Sequence, residues 1–235
     1  MQPRPAKKTC PAKKLNVSFG VANPIQRKNV LDGVANPVQQ NKPRPAKQQK
    51  KSSEKKTMPK LIILDRDGVI NYDSDKYIKS QDEWHPIPGS LDAIGRLNQA
   101  GYRIVVITNQ SGLSRGLFTL DDLNQIHQKM YKQLAKAGGN IEAIFFCPHS
   151  EKENCKCRKP HAGLFHSLTS RLNISLTNVP AVGDSWRDLK AASVAAAKPI
   201  LVLTGNGRRT LNNIGEFKDV SVYNDLAAYA DYLLE

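Results

Sequence analysis

No run in the 235 residues approaches 18 consecutive apolar positions, the length a helix needs to cross a bilayer. The basic N-terminus is not followed by the apolar core of a secretory signal. These absences argue against a helical membrane protein and predict a soluble, cytoplasmic chain with no membrane partner. Cysteine is scarce, and four in a chain this long do not make a disulfide framework. Aromatics and acids are scarcest in residues 1–57, which contain Phe19, Asp32 and Glu54 beside seven prolines and 14 Lys/Arg. Such a segment cannot bury a core, so a disordered tail is expected there, and most of the chain's +14 charge belongs to it.

The tail carries two short repeats, Pro-Arg-Pro-Ala-Lys at 3–7 and 43–47 and Gly-Val-Ala-Asn-Pro at 20–24 and 33–37. Two copies of each are too few to stack into a solenoid. The simplest reading is a solvated basic tail with weak, salt-sensitive attraction to polyanions. A dedicated nucleic-acid arm would need interleaved aromatics for base stacking, and they are missing. A third reading makes Met58, just ahead of the first apolar strand, the true start.

From Lys60 onward, apolar runs of strand length alternate with amphipathic stretches of helix length. Strands are predicted at Leu61–Leu64, Arg103–Ile107, Ala143–Phe146, Pro180–Val182 and Ile200–Leu203. Helices are predicted near 90–100, 120–137, 162–172, 187–197 and 224–234. Alternation of this kind implies parallel strands joined by right-handed helical crossovers, hence a three-layer α/β/α sandwich around a mainly parallel, Rossmann-like sheet over residues 58–235. Ligands of such sheets sit beyond the carboxyl ends of the strands.

Four stations of polar chemistry fall at those ends. LDRDG puts Asp65 at the first strand tip and Asp67 two residues on, where one carboxylate can attack or bind metal and the other can exchange protons. The second strand runs out through Thr108, Asn109, Gln110, Ser111 and Gly112, a hydroxyl and a row of N–H groups suited to phosphate. Arg158 and Lys159 stand ahead of the fourth strand, and Asp184 follows it. Singly, each has a plain structural explanation: a turn, a surface charge, a helix cap. Their joint occurrence, in order and at strand ends, is improbable by chance.

A separate group, Cys147-x-His149 and Cys155-x-Cys157, supplies three thiolates and an imidazole, the ligand set of a closed structural Zn²⁺ site. The intervening Ser-Glu-Lys-Glu-Asn is too polar for a core, which weighs against buried free thiols. His85, His127, His161 and His166 read as non-ligands, and Cys10 lies apart in the tail.

The four stations resemble the haloacid dehalogenase-like phosphohydrolases. LDRDGVIN, TNQSGLSRG, CPH followed by CKCRKP, and VGDSWRD are similar to the D-glycero-D-manno-heptose 1,7-bisphosphate phosphatases of lipopolysaccharide-heptose synthesis, over about residues 60–232. The resemblance implies Asp65 as nucleophile, Asp67 as general acid and base, and Mg²⁺ held by Asp65, Asp184 and the Asp67 carbonyl. It implies Thr108 and Lys159 as holders of the transferring phosphoryl group, with Asn109, Gln110, Ser111 and Arg158 binding the rest of a small phosphorylated sugar. It also implies that the cysteine cluster is a zinc loop organising Arg158 and Lys159. Without a long insertion there is no space for a large cap domain, so residues 72–89 and the zinc loop must shape the pocket. A monomer is expected. A histidinol-phosphate phosphatase is the nearest rival, and a nucleic-acid-associated 3′-phosphatase or a zinc-loop nucleic-acid binder using the basic tail is the rival from another class.

Overall fold

The computed structural model describes residues 60–235 apart from residue 218. The expectations for the tail, for Cys10 and for a start at Met58 lie outside the described residues. Six strands form one sheet: β1 (Leu61–Leu64), β2 (Arg103–Asn109), β3 (Ala143–Cys147), β4 (Pro180–Gly183), β5 (Lys198–Val202) and β6 (Ser221–Tyr223). Their spatial order is β3-β2-β1-β4-β5-β6, and every pairing is parallel. The chain moves outward one way from β1 through β2 to β3, then crosses back to β4 and continues the other way. The crevice at that reversal, at the carboxyl tips of β1 and β4, is where such sheets bind ligands.

Alternation along the buried strands builds two cores. Ile62, Leu64, Ile104 and Val106 face one way, against Ile94 and Leu97 of α1 (Ser90–Gln99), Ile126 and Met130 of α2 (Leu120–Lys136), and Leu226 and Tyr229 of α6 (Leu226–Leu234). Leu61, Ile63, Val105 and Ile107 face the other way, against Leu164 and Leu168 of α3 (Gly163–Leu172) and Ala191 and Ala192 of α4 (Trp186–Val194). With both faces covered, the strands read as unbroken apolar runs, and the predicted three layers are present. Truncating a fully buried side chain such as Leu64 or Leu97 would cost about 2–5 kcal/mol.

Among the strands and α-helices of the described residues, two were not anticipated, β6 and the short helix α5 (Gly207–Asn212). Three residues, Ser-Val-Tyr, are too few to show a period, and β6 exists because β5 offers it an edge. The helix predicted to 197 instead ends at Val194. The alanine run favours continuation, but Ala196 turns left-handed at φ 58° and Lys198 N–H joins the sheet at Val179 O, so tertiary pairing overrides propensity.

Two helix starts are closed by capping boxes. Thr119 exchanges bonds with Asp122 at the head of α2, and Ser185 with Asp188 at the head of α4. Asp184, for which a capping role was one reading, is therefore not the cap of α4. Its neighbour Ser185 is.

Candidate active site

The first strand continues one bond beyond its end, with Asp65 N–H donating to Val182 O at 2.9 Å, so the nucleophile candidate is locked beside β4. Gly68 follows at φ 82°, and a Cβ there would lie 2.1 Å from Asp184 Oδ2. Gly205, at φ 53°, approaches the same oxygen from the loop after β5, where a Cβ would come within 2.2 Å. Two glycines thus let two backbone segments close around one carboxylate.

Asp65, Asp184 and Asp188 bring carboxylate oxygens within 4.8 Å of one another. Lys159 enters this group from the side, its Nζ 2.9 Å from Asp65 Oδ2 and 2.5 Å from Asp188 Oδ1. The third ammonium proton goes to Ile107 O at 2.8 Å. Its backbone is pinned by a reciprocal pair, Lys159 N–H to Asn109 Oδ1 and Asn109 Nδ2–H to Lys159 O, both 3.1 Å.

Burial, with Asp188 and Asp67 adding repulsion, raises Asp65 to about 7 against the opposing pull of Lys159. Burial also holds Asp184 well above the usual carboxylate range, reinforced by Asp188 and Asp65. Asp188 goes the other way: burial would raise it, but Lys159 and the Ser185 hydrogen bonds hold it low. Burial opposes the charge of Lys159, and the two carboxylates beside it more than restore it. Three acids sharing one ammonium form a centre short of positive charge, the condition under which a hard divalent cation binds.

Asp67 sits outside that cluster. Its carboxylate accepts from Arg66 through both oxygens, from Asn71 Nδ2 at 2.8 Å and from Gln110 Nε2 at 2.9 Å. Gln110 also donates to Thr108 Oγ1 at 3.0 Å, which ties the second station to the first. All the candidates, with Ser111 and Arg158, line a single cavity of about 330 Å³. Asp73, Ser74 and Tyr77 form part of its wall, so the segment between β1 and α1 shapes the pocket as expected, and Arg187, Asn206 and Arg209 line it from the side of β4 and β5.

Arg158 is also turned toward the neighbouring loop. It donates to His149 O at 3.4 Å and to Glu151 Oε1 at 3.3 Å. Arg115, on the loop after β2, lies over the Tyr77 ring. Trp84 is buried in the core, Trp186 is exposed beside a groove next to the cavity, and His161 borders a small hollow behind Arg158.

Cys147, His149, Cys155 and Cys157 converge as the spacing predicts. Their sulfurs are 3.3, 3.4 and 3.5 Å apart, and His149 Nδ1 is 3.3 and 3.6 Å from two of them. Those separations are far beyond a disulfide bond. They lie a little inside the arrangement of a tetrahedral ion with Zn–S bonds of about 2.3 Å, which sets sulfurs about 3.8 Å apart.

Three positions packed against the site escaped sequence reasoning. Asp188 carried a usable signal, since an acid at the third residue of a helix after Ser185 marks a capping box. Arg66 and His127 carried none, because nothing in LDRDG distinguishes a buried arginine from an exposed one.

Comparison with known proteins agrees with this geometry. A family model described as polynucleotide kinase 3 phosphatase matches residues 60–191, and a HAD-hydrolase-like one matches residues 156–229. The D-glycero-β-D-manno-heptose-1,7-bisphosphate 7-phosphatase of Bordetella bronchiseptica is 54% identical over 176 residues, covering 75% of this chain and 98% of the relative. The enzyme of the same name from Neisseria meningitidis is 46% identical over 178 residues, covering 75% and 95%. A crystal structure of the B. bronchiseptica D,D-heptose 1,7-bisphosphate phosphatase with magnesium and phosphate superposes with a TM-score of 0.73 at 55% identity, over 74% of this chain and 98% of that one. The chain therefore belongs to the haloacid dehalogenase-like hydrolases, within the family of the D-glycero-β-D-manno-heptose-1,7-bisphosphate 7-phosphatases.

Proposed function

We propose that residues 58–235 form a Mg²⁺-dependent phosphatase that removes the 7-phosphate of D-glycero-β-D-manno-heptose 1,7-bisphosphate through an aspartyl-phosphate. The observation that carries the chemistry is Lys159, buried between Asp65 and Asp188, with Asp184 close by and Asp67 facing the same cavity. Asp65 attacks phosphorus and the bond to the sugar oxygen breaks. Asp67 gives its proton to that oxygen, leaving a free alcohol and the acyl phosphate. Water then attacks phosphorus, its proton passes to Asp67, and release of phosphate restores Asp65. Thr108, Lys159 and the Ser111 N–H hold the phosphoryl oxygens, the Gln110 N–H being taken by Cys147 O at 2.7 Å, and donors of this kind are worth about 3–4 kcal/mol each when removed.

Asp65, Asp184 and the Asp67 carbonyl would hold Mg²⁺, with Asp188 near enough to support them, and the excess of buried carboxylate over ammonium fits such an ion. When bound, it neutralises the repulsion between an anionic nucleophile and an anionic phosphate. Cys147, His149, Cys155 and Cys157 would hold Zn²⁺ with no open position, giving it a structural role. Thiolates of this kind persist in a reducing compartment, which supports a cytoplasmic location.

Arg158, with its planar fork of donors, suits the sugar or its distal phosphate. The deciding experiment is phosphate release from heptose 1,7-bisphosphate, histidinol phosphate and 3′-phosphorylated DNA at matched concentration. The reading requires the bisphosphate to have the highest kcat/KM. The match to a polynucleotide 3′-phosphatase family favours the DNA end as the second reading, and preference for that substrate would install it.

A further inference from the structure

Arg66 is a charged side chain with 1% exposure, and its guanidinium makes one ion pair among the described residues, with Asp67. Nε donates to Oδ1 at 3.0 Å and Nη2 to Oδ2 at 2.9 Å, a two-pronged clamp on the plane of the carboxylate. The remaining donors to Asp67 are neutral amides, those of Asn71 and Gln110. This difference matters for a group that must carry a proton in one half of a cycle and not in the other. An amide can turn its oxygen toward a protonated carboxyl, whereas a guanidinium has only donors.

Behind the clamp stands His127 of α2, 2% exposed, with Nε2 3.3 Å from Arg66 Nη1. Arg66 can only donate, so Nε2 must be the acceptor and the ring must be neutral with its proton on Nδ1. Burial and the adjacent guanidinium both favour that neutral form. Burying a guanidinium costs several kcal/mol unless it is paired and hydrogen-bonded, and here Asp67 and His127 supply the partners.

We infer that Arg66, braced by His127, is the positioning residue of the reaction: it fixes the plane of the Asp67 carboxylate so that one oxygen faces first the leaving sugar oxygen and then the attacking water. The inference rests on the proposed role of Asp67. It implies that disturbing Arg66 slows proton transfer and leaves phosphate binding and the attack of Asp65 intact.

Two substrates separate these steps. p-Nitrophenolate is a stable anion that leaves without an acid, while a sugar alkoxide needs one. With the full chain carrying its metals, Arg66→Lys should therefore release one equivalent of nitrophenolate per site at the parent rate. It should then turn over at least about 10-fold more slowly, because the water step has lost its base. On the heptose bisphosphate, kcat should fall by at least about the same factor with KM unchanged and no burst of sugar release. His127→Leu should show the same split more weakly, and His127→Gln, whose Oε1 can accept from Arg66, should recover. The His127 pair also decides the matter if Arg66→Lys fails to fold.

Parent-like turnover of Arg66→Lys on the sugar, or a nitrophenolate burst that slows in step with steady turnover, would overturn the inference. So would His127→Leu and His127→Gln behaving alike. Asp67→Asn, run alongside, must show the split in its strongest form. If it does and Arg66→Lys does not, the clamp alone is refuted, whereas if Asp67→Asn lacks the split, the role of Asp67 itself falls.

Discussion

Removing the zinc ligands should unseat Arg158 and leave Lys159 in place, because the two neighbours are anchored to different parts of the protein. Lys159 is held by Asn109, Ile107, Asp65 and Asp188, all on the sheet or at its carboxyl edge. Arg158 is held by His149 O and by Glu151, both on the loop that the cysteines close. The doubly substituted Cys155→Ser, Cys157→Ser chain forfeits a metal that contributes about 10–16 kcal/mol in sites of this type, so the loop should open while the sheet stays folded. If Arg158 then loses one charge-assisted hydrogen bond to the bisphosphate, about 1.5–3 kcal/mol, KM for that substrate should rise about 10- to 150-fold. Turnover of p-nitrophenyl phosphate, which has no distal group for Arg158, should stay within about three-fold of the parent. Metal analysis after dialysis against a mild chelator should give one zinc per chain in the parent and none in the variant. Zinc retained by the variant would remove the ligand assignment. Equal losses on both substrates would show that the loop also sets Lys159, and the reasoning about separate anchors would be wrong.

Asp65→Asn keeps shape and can still accept from Lys159 but removes the attacking anion, so steady-state turnover should drop by several orders of magnitude with an unchanged far-UV spectrum; retained turnover refutes the covalent route. A chain beginning at Met58 should match the full chain on small substrates, since every candidate lies downstream, and a loss of kcat/KM would place the preceding residues at the pocket. His127 gives the pH dependence. Burial and Arg66 hold its pKa well below 6.5, so the unfolded chain takes up a proton that the folded chain refuses. Stability is therefore full above about pH 6.5 and declines as pH falls below it, by at most about 1.4 kcal/mol per pH unit from this residue. Urea unfolding of the parent and of His127→Gln at pH 7.5 and 5.5 should show a smaller acid loss in the variant, and parallel losses would discount the histidine.

Those parts of the fold that depend on local pattern were legible in the sequence. Leu61–Leu64 reads as a strand because four apolar residues precede an acidic turn, and it is one. The zinc cluster is legible for a similar reason: four ligands within eleven residues meet wherever the loop that carries them folds back. What could not be read was set by partners distant in the chain. β6 is a strand only because β5 has an open edge, and Ala196 leaves the helix only because Lys198 must reach Val179.

The same distinction applies within the site. Asp65, Asp67, Thr108 and Asp184 stand at or just beyond strand tips, where topology brings them together, and Lys159 joins them from the loop ahead of α3 through its pairing with Asn109. Arg66 lies between two of them, and alternation along a strand would point it away from the pocket. It does point away from the cavity, into the space under α2, where His127, 61 positions on, receives it. Its guanidinium then folds back onto Asp67, a contact that exists only because the Gly68 turn brings the carboxylate round to meet it. Sequence position shows which residues can reach the phosphate. Which of them are braced from behind depends on helices that arrive much later in the chain, and on the proposed role of Asp67 the precision of proton transfer would be set by that second group.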